Sequence, residues 1–180
     1  MEAASSAAIV SVILEYRNTK QFSPVAFCSG AIIGLVAITP GSGFVGPLAS
    51  IVFGSSAAII CHLLMQIKYF VAVDDATDVF IVHAVAGLLG NILTGIFAQS
   101  EIASLDGTVI NGGWVNGNWM QVPYQLAGSF AAMGWSFALS LVILKILDKI
   151  PGLKLRVETS SELEGLDKVD LGVTIFPSPI

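Results

Sequence analysis

Two long stretches of this 180-residue chain, Gln21 to Ile67 and Gly107 to Leu144, contain no Asp, Glu, Lys or Arg. A chain folding in water with short loops could not leave 47 consecutive uncharged, mostly apolar residues wet. The composition agrees: 54% of residues are hydrophobic, 12% are charged and the mean hydropathy is +0.82. Soluble domains carry about 25% charged residues. The fold class that follows is an all-α integral membrane protein with about five transmembrane helices, each of about 20 apolar residues.

The spans follow from where the apolar runs break. Residues 3–14 (AASSAAIVSVIL) are apolar or small, and roughly 18 Å of helix is short against a hydrocarbon core of about 30 Å. They read as a span lacking its first third, followed by a polar loop, Glu15 to Lys20. The first charge-free run is too long for one crossing. It divides at Thr39-Pro40-Gly41-Ser42-Gly43, since proline lacks an amide proton and disfavours helix in the residue before it. That gives spans over 22–39 and 44–67, both rich in small residues such as Gly30, Gly34, Gly54 and Ala57. Small residues let helices approach closely in lipid, so these are expected to be packed interior helices.

A fourth span is expected over 75–98, with Asp74, Asp75 and Asp78 at its start and His83 inside it. A loop rich in Gly and Asn then carries Trp114 and Trp119 to a fifth span over 121–147, where aromatics favour the headgroup level. Pro151-Gly152 closes the membrane region, 1–150, and the acidic, Ser- and Pro-containing tail, 151–180, reads as a soluble appendage. With this count all eight basic residues fall on one side: Arg17 and Lys20, then Lys68, then Lys145, Lys149, Lys154, Arg156 and Lys168. The positive-inside rule makes that side cytoplasmic, with the N-terminus outside and the C-terminus inside.

Several function classes drop out. The net charge is −5 and the basic residues are too few for a phosphate-binding face, so nucleic acid is not an expected partner. Cys28 and Cys61 both lie in apolar runs, and Cys61-His62 is a dipeptide without further ligands. Neither a disulfide framework, a metal site nor a cofactor is expected. No basic start leads into a short apolar core and cleavage site, so no signal peptide is read. An intramembrane aspartyl protease needs carboxylates on two facing spans, and only one span carries them, so an enzyme is not expected.

The ionisable residue that invites function is His83. An ionisable side chain within a span is a functional-site candidate by default. Helical spacing puts Val79, Ala86 and Gly87 on its face. Asp75 and Asp78, at i and i+3, share one face at the helix start, where unpaired amides and the macrodipole favour negative charge.

These residues resemble the ammonium transporter family. The run Cys28 to Pro40, CSGAIIGLVAITP, is similar to the family's CSGAxAGLVAITP stretch, and Asp74 to Ala98 resembles its DDxxDVFxVHxxxGxxGxxxTGxFA signature. Asn111 to Asn116 and Gly152 to Arg156 resemble the fungal permeases in particular. The resemblance implies an eleven-helix fold of two inverted five-helix halves plus a final helix, assembled as a homotrimer with one pore per subunit. This chain would correspond to the part from within the seventh helix onward, and so to a fragment. It further implies ammonium or ammonia as substrate, with methylammonium as analogue, in a plasma-membrane permease surrounded by the lipid bilayer. His83 would be the second of two pore histidines that relay a proton, and Val79 and Thr39 would line the pore beside it.

Two departures stand out. The residue after the histidine, usually Gly in the family, is Ala84. The tail keeps Leu155-Arg156-Val157 and Glu162 to Asp167 but loses the histidine-glycine-glutamate element expected near Gly172. In the family that tail docks beneath a neighbouring subunit. The alternative readings are half of an unrelated channel with broken, Gly-rich helices, and a non-transporting ammonium sensor.

Overall fold

The computed structural model describes residues 1–65, 75, 77–107, 109–157, 159–165, 168, 169 and 172. Among these, every regular element is helical. The first helix, α1, runs Glu2–Thr19, through the polar segment expected as a loop. Glu15, Tyr16 and Arg17 are compatible with helix, and polarity alone does not stop one. The stop comes from backbone geometry. Lys20 turns left-handed at φ 59° and its amide donates to the Tyr16 carbonyl. Four residues later α2 (Pro24–Ile38) begins with proline in its first turn, where a missing amide proton costs nothing, and the Ser23 hydroxyl accepts from the Ala26 amide at 3.2 Å.

A single 3₁₀ turn, Thr39–Gly41, carries α2 through Pro40 before the chain breaks. The next helix, α3 (Pro47–Met65), starts three residues later than the expected Phe44, because Pro47 supplies the natural first-turn residue. The fourth apolar run opens at Val79 and not at Asp75. Its first turn, Phe80–Val85, is π-helical and continues into α4, Ala86–Phe97. After it come the short α5 (Ser100–Ala103), 3₁₀ turns at Ser104–Asp106 and Trp114–Asn116, the long α6 (Gln121–Leu147) and a small α7 (Thr159–Glu164).

Among the described residues, four helical stretches are long and apolar enough to cross a bilayer: Pro24–Gly41, Pro47–Met65, Phe80–Phe97 and Gln121–Leu147. The chain is thus a multi-pass helical membrane protein. The helix α1 falls outside that set, with Glu2, Glu15 and Arg17 lowering its apolarity.

The chain divides into two compact units, Met1–Ala131 and Ala132–Ile180. In the first, α1 lays Ala3, Ala7 and Ser11, one turn apart, against Gly30 and Gly34 of α2. The fit leaves no room for a side chain: a Cβ on Gly34 would run into the Ala3 carbonyl, and so would one on Gly54 of α3. Close backbone approach of this kind holds helices together in lipid, where hydrophobicity cannot. Around it lies a core of Ile33, Ala37, Ala57, Cys61, Ile81, Val82 and Ala86. At the far end, the Gln99 amide donates to Phe44 and the Gly113 amide to Ala98, pinning the loop before α6 onto the bundle.

In the second unit, Asp148 accepts a hydrogen bond from the Leu155 amide at 3.2 Å, and so closes the segment after α6.

Candidate functional site

The site is built on the start of the fourth apolar run. Asp75 acts as the cap: its two carboxylate oxygens accept from the amides of Val79 at 3.0 Å and Phe80 at 3.1 Å. Those amides have no partner within the helix, so a carboxylate there satisfies hydrogen-bonding need and dipole together. Asp78 does something different. It sits left-handed at φ 55°, a conformation Asp tolerates better than most residues, and its carbonyl accepts from the Val82 amide at 2.9 Å. The two aspartates therefore do not share a helical face, because the helix begins after both. Asp74 lies outside the described residues.

His83 lies within the π turn. The Ala86 amide reaches back to the Ile81 carbonyl, five residues away, so this turn holds one residue more than an α turn. That shifts the faces. Ile81, Val82 and Ala86 turn into the core, while His83, Val79 and Phe80 are exposed. The α-helical expectation that Ala86 shares the face of His83 fails for this reason: Ala86 is fully buried. Single π turns occur disproportionately at functional sites, and this one swings the imidazole away from the helix contacts of its own chain.

Val79, 52% exposed, remains on the open side with the histidine. Thr39 is also exposed, and its hydroxyl donates to the Leu35 carbonyl at 2.7 Å. It is not beside His83, however. A Cβ on Gly90 would meet the Ala37 backbone, and one on Gly41 would lie 3.3 Å from the Thr94 hydroxyl. Thr39 is thus level with the stretch between Gly90 and Thr94, roughly 10 to 16 Å along the axis from His83 at about 1.5 Å per residue. The structure brings Val79 to the histidine and sets Thr39 apart.

Sequence reasoning missed a second polar cavity, which reaches this helix start at Asp78 and is not lined by His83. A cavity of about 210 Å³ is lined by Ser11 and Glu15 of α1, Ser23 and Ser29 around α2, His62 of α3, and Asp78. His62 is held there by Asn18, whose amide nitrogen is 3.0 Å from the imidazole Nε2. The signal that could have found it is faint: a histidine one turn from the end of an apolar helix, and a glutamate in a segment read as loop.

With this geometry in hand, similarity to known proteins becomes informative. The profile of the Ammonium Transporter Family matches residues 1–175. The chain belongs to the ammonium transporter family. It is 44% identical over 176 residues to Ammonium transporter 1 of Schizosaccharomyces pombe, covering 97% of this chain and 35% of that protein. In three dimensions it superposes on Candida albicans Mep2 with a TM-score of 0.82 at 41% identity, over 88% of this chain and 35% of that one. The Saccharomyces cerevisiae Mep2 structure gives the same TM-score at 36% identity, over 88% of this chain and 36% of its own. The chain thus spans about a third of the length of the relatives it matches. The fold is that of the corresponding part of the Mep2 transporters.

Proposed function

We propose that this chain forms part of the pore of an ammonium permease and that His83 faces the conduction path. The observation that carries the reading is the exposed imidazole on an otherwise apolar span, set outward by a π turn in the stretch that resembles the family signature. The chemical problem explains why such a residue belongs there. A bare ammonium ion entering hydrocarbon loses hydration worth tens of kcal/mol, whereas neutral ammonia crosses readily. Separating the proton from the ammonia removes that barrier, and an imidazole gains and loses a proton near neutral pH. His83 takes that proton, and Val79 beside it keeps the path apolar. Thr39 lines the same path further along.

The wider reading follows the resemblance. Residues 1–150 form the membrane part and 151–180 a cytoplasmic tail, in a homotrimer of the plasma membrane with the N-terminus outside. Asp74 and Asp75 then mark the cytoplasmic end of the helix, with Asp78 beside them. Growth of permease-deficient yeast on low ammonium tests transport directly. The chain fused behind the first part of a Mep2 relative is expected to restore growth, and the chain alone is not. Failure of the fusion, when it reaches the membrane, overturns the transport reading.

A further inference from the structure

Cys61 of α3 is a fully buried free thiol in an apolar core, and the transport reading gives it no part. Its Sγ lies 3.6 Å from the Ile81 carbonyl of the π turn and donates to it. We propose that Cys61 is a positioning residue: through that carbonyl it holds the π turn and so keeps His83 facing outward. The bearing on transport rests on the reading of His83 given above, whereas the hold on the turn rests on the geometry alone.

The Ile81 carbonyl has use for a second donor. In an α turn its oxygen would accept from the Val85 amide, four residues on. In this turn it faces the Ala86 amide, which is shared between the Ile81 and His83 carbonyls. A proton divided between two oxygens serves each less well. Ile81 is 7% exposed and sits in the same apolar cluster as Cys61, away from water. A buried carbonyl served only in part costs free energy until another donor reaches it. A carbonyl oxygen has two lone pairs, and the thiol, a weak donor, takes up the second.

The rest of the helix turns that weak bond into a choice of face. Before the turn, Asp75 fixes the Val79 and Phe80 amides. After it, Gly90 packs so closely on the Ala37 backbone that a Cβ would collide with it. The extra residue of the π turn is therefore held between two anchored ends. With α4 held at Gly90, an α turn would put His83 three residues before Ala86, on the buried face. With the π turn, His83 is exposed and Ile81 and Val82 are buried instead. The thiol stabilises the second arrangement, in which the Ile81 oxygen has only a shared backbone proton.

Serine and alanine at position 61 differ by one hydroxyl, so Cys61→Ser keeps a donor and Cys61→Ala removes it. In the chain in detergent, diethylpyrocarbonate labelling of His83 relative to His62 should fall about twofold or more in Cys61→Ala, the scale of a weak S–H bond, and stay near the parent in Cys61→Ser. Loosened packing alone would raise the labelling of both histidines, and circular dichroism shows that each variant is folded. In a Cys28→Ala chain the remaining thiol should show an S–H stretch below that of a free thiol. In the yeast fusion, Cys61→Ala should lower methylammonium uptake by a similar factor, and should add nothing in the His83→Ala background. Unchanged His83 labelling in Cys61→Ala, an equal fall in both variants, or a free-thiol stretch overturns the proposal. An equal uptake loss with and without His83 overturns it as well, because Cys61 would then act by another route. If His83→Ala leaves uptake intact while the labelling pattern holds, the proton reading fails and the hold on the turn stands.

Discussion

At the scale of single residues, the helix start gives two aspartates different structural parts: Asp75 caps it and Asp78 turns left-handed just before it. Asp75 satisfies two amides at once, so Asp75→Ala leaves both unmet at the cost of a lost cap, about 1 kcal/mol. Amide exchange at Val79 and Phe80 should then quicken about fivefold, as that energy implies, with Asp75→Asn retaining part of the protection. Unchanged exchange would mean the cap is replaced by something else. His83 and Val79 differ in kind. In the yeast fusion, His83→Ala removes a proton acceptor and should reduce methylammonium uptake more than Val79→Ala, which only widens an apolar wall. Equal losses would remove the case for a proton role. The histidine itself was legible in the sequence as a lone ionisable group in an apolar run. Its outward direction was not, because a π turn adds a residue to the backbone without altering the side-chain pattern. The same turn is why Ala86 leaves the face of His83, and the left-handed Asp78 is why two aspartates at helical spacing share no helical face.

Helices α1, α2 and α3 are held by absences of side chain. Gly34→Ala would drive a methyl into the Ala3 carbonyl, and backbone cannot yield as a flexible side chain can. Overpacking of this type costs on the order of 1–3 kcal/mol. The thermal midpoint of the chain in detergent should fall clearly for Gly34→Ala. It should hold or rise slightly for Gly134→Ala, which meets nothing within 4 Å and improves helix propensity in α6. A Gly34→Ala chain as stable as its parent would show that α1 is not packed as described. Much at this scale could be read beforehand. Uncharged runs located the membrane-crossing helices, Pro40 located a break, and small residues marked close contacts. What the sequence hid were boundaries set by backbone conformation: α1 ends at the left-handed Lys20 and not at the first polar residue, and α3 waits for Pro47. The cavity beside His62 was hidden too, because it is assembled from residues up to 67 positions apart, Ser11 and Asp78, that look unrelated in sequence.

For the whole molecule, the exposed apolar surface is the governing fact. From Phe130 to Ile146 every residue is exposed, and the face that carries Val79, Phe80 and His83 is open as well. Apolar surface on this scale is covered by lipid or by protein. The two covers have different consequences for the imidazole, and the relatives, about three times as long as this chain, supply the protein that could do the covering. In the chain alone, in detergent, His83 should react readily with diethylpyrocarbonate, read out as a carbethoxylated peptide by mass spectrometry. Joined to the first part of a Mep2 relative, the same histidine should be enclosed in a narrow path that admits ammonia and excludes the reagent, so its labelling should fall sharply. His62, bonded to Asn18 and lining a cavity that His83 does not, serves as an internal reference whose labelling should change little. If His83 labels equally in the chain and in a fusion that restores growth, the open face is not the conduction face, and the proton must travel by another route.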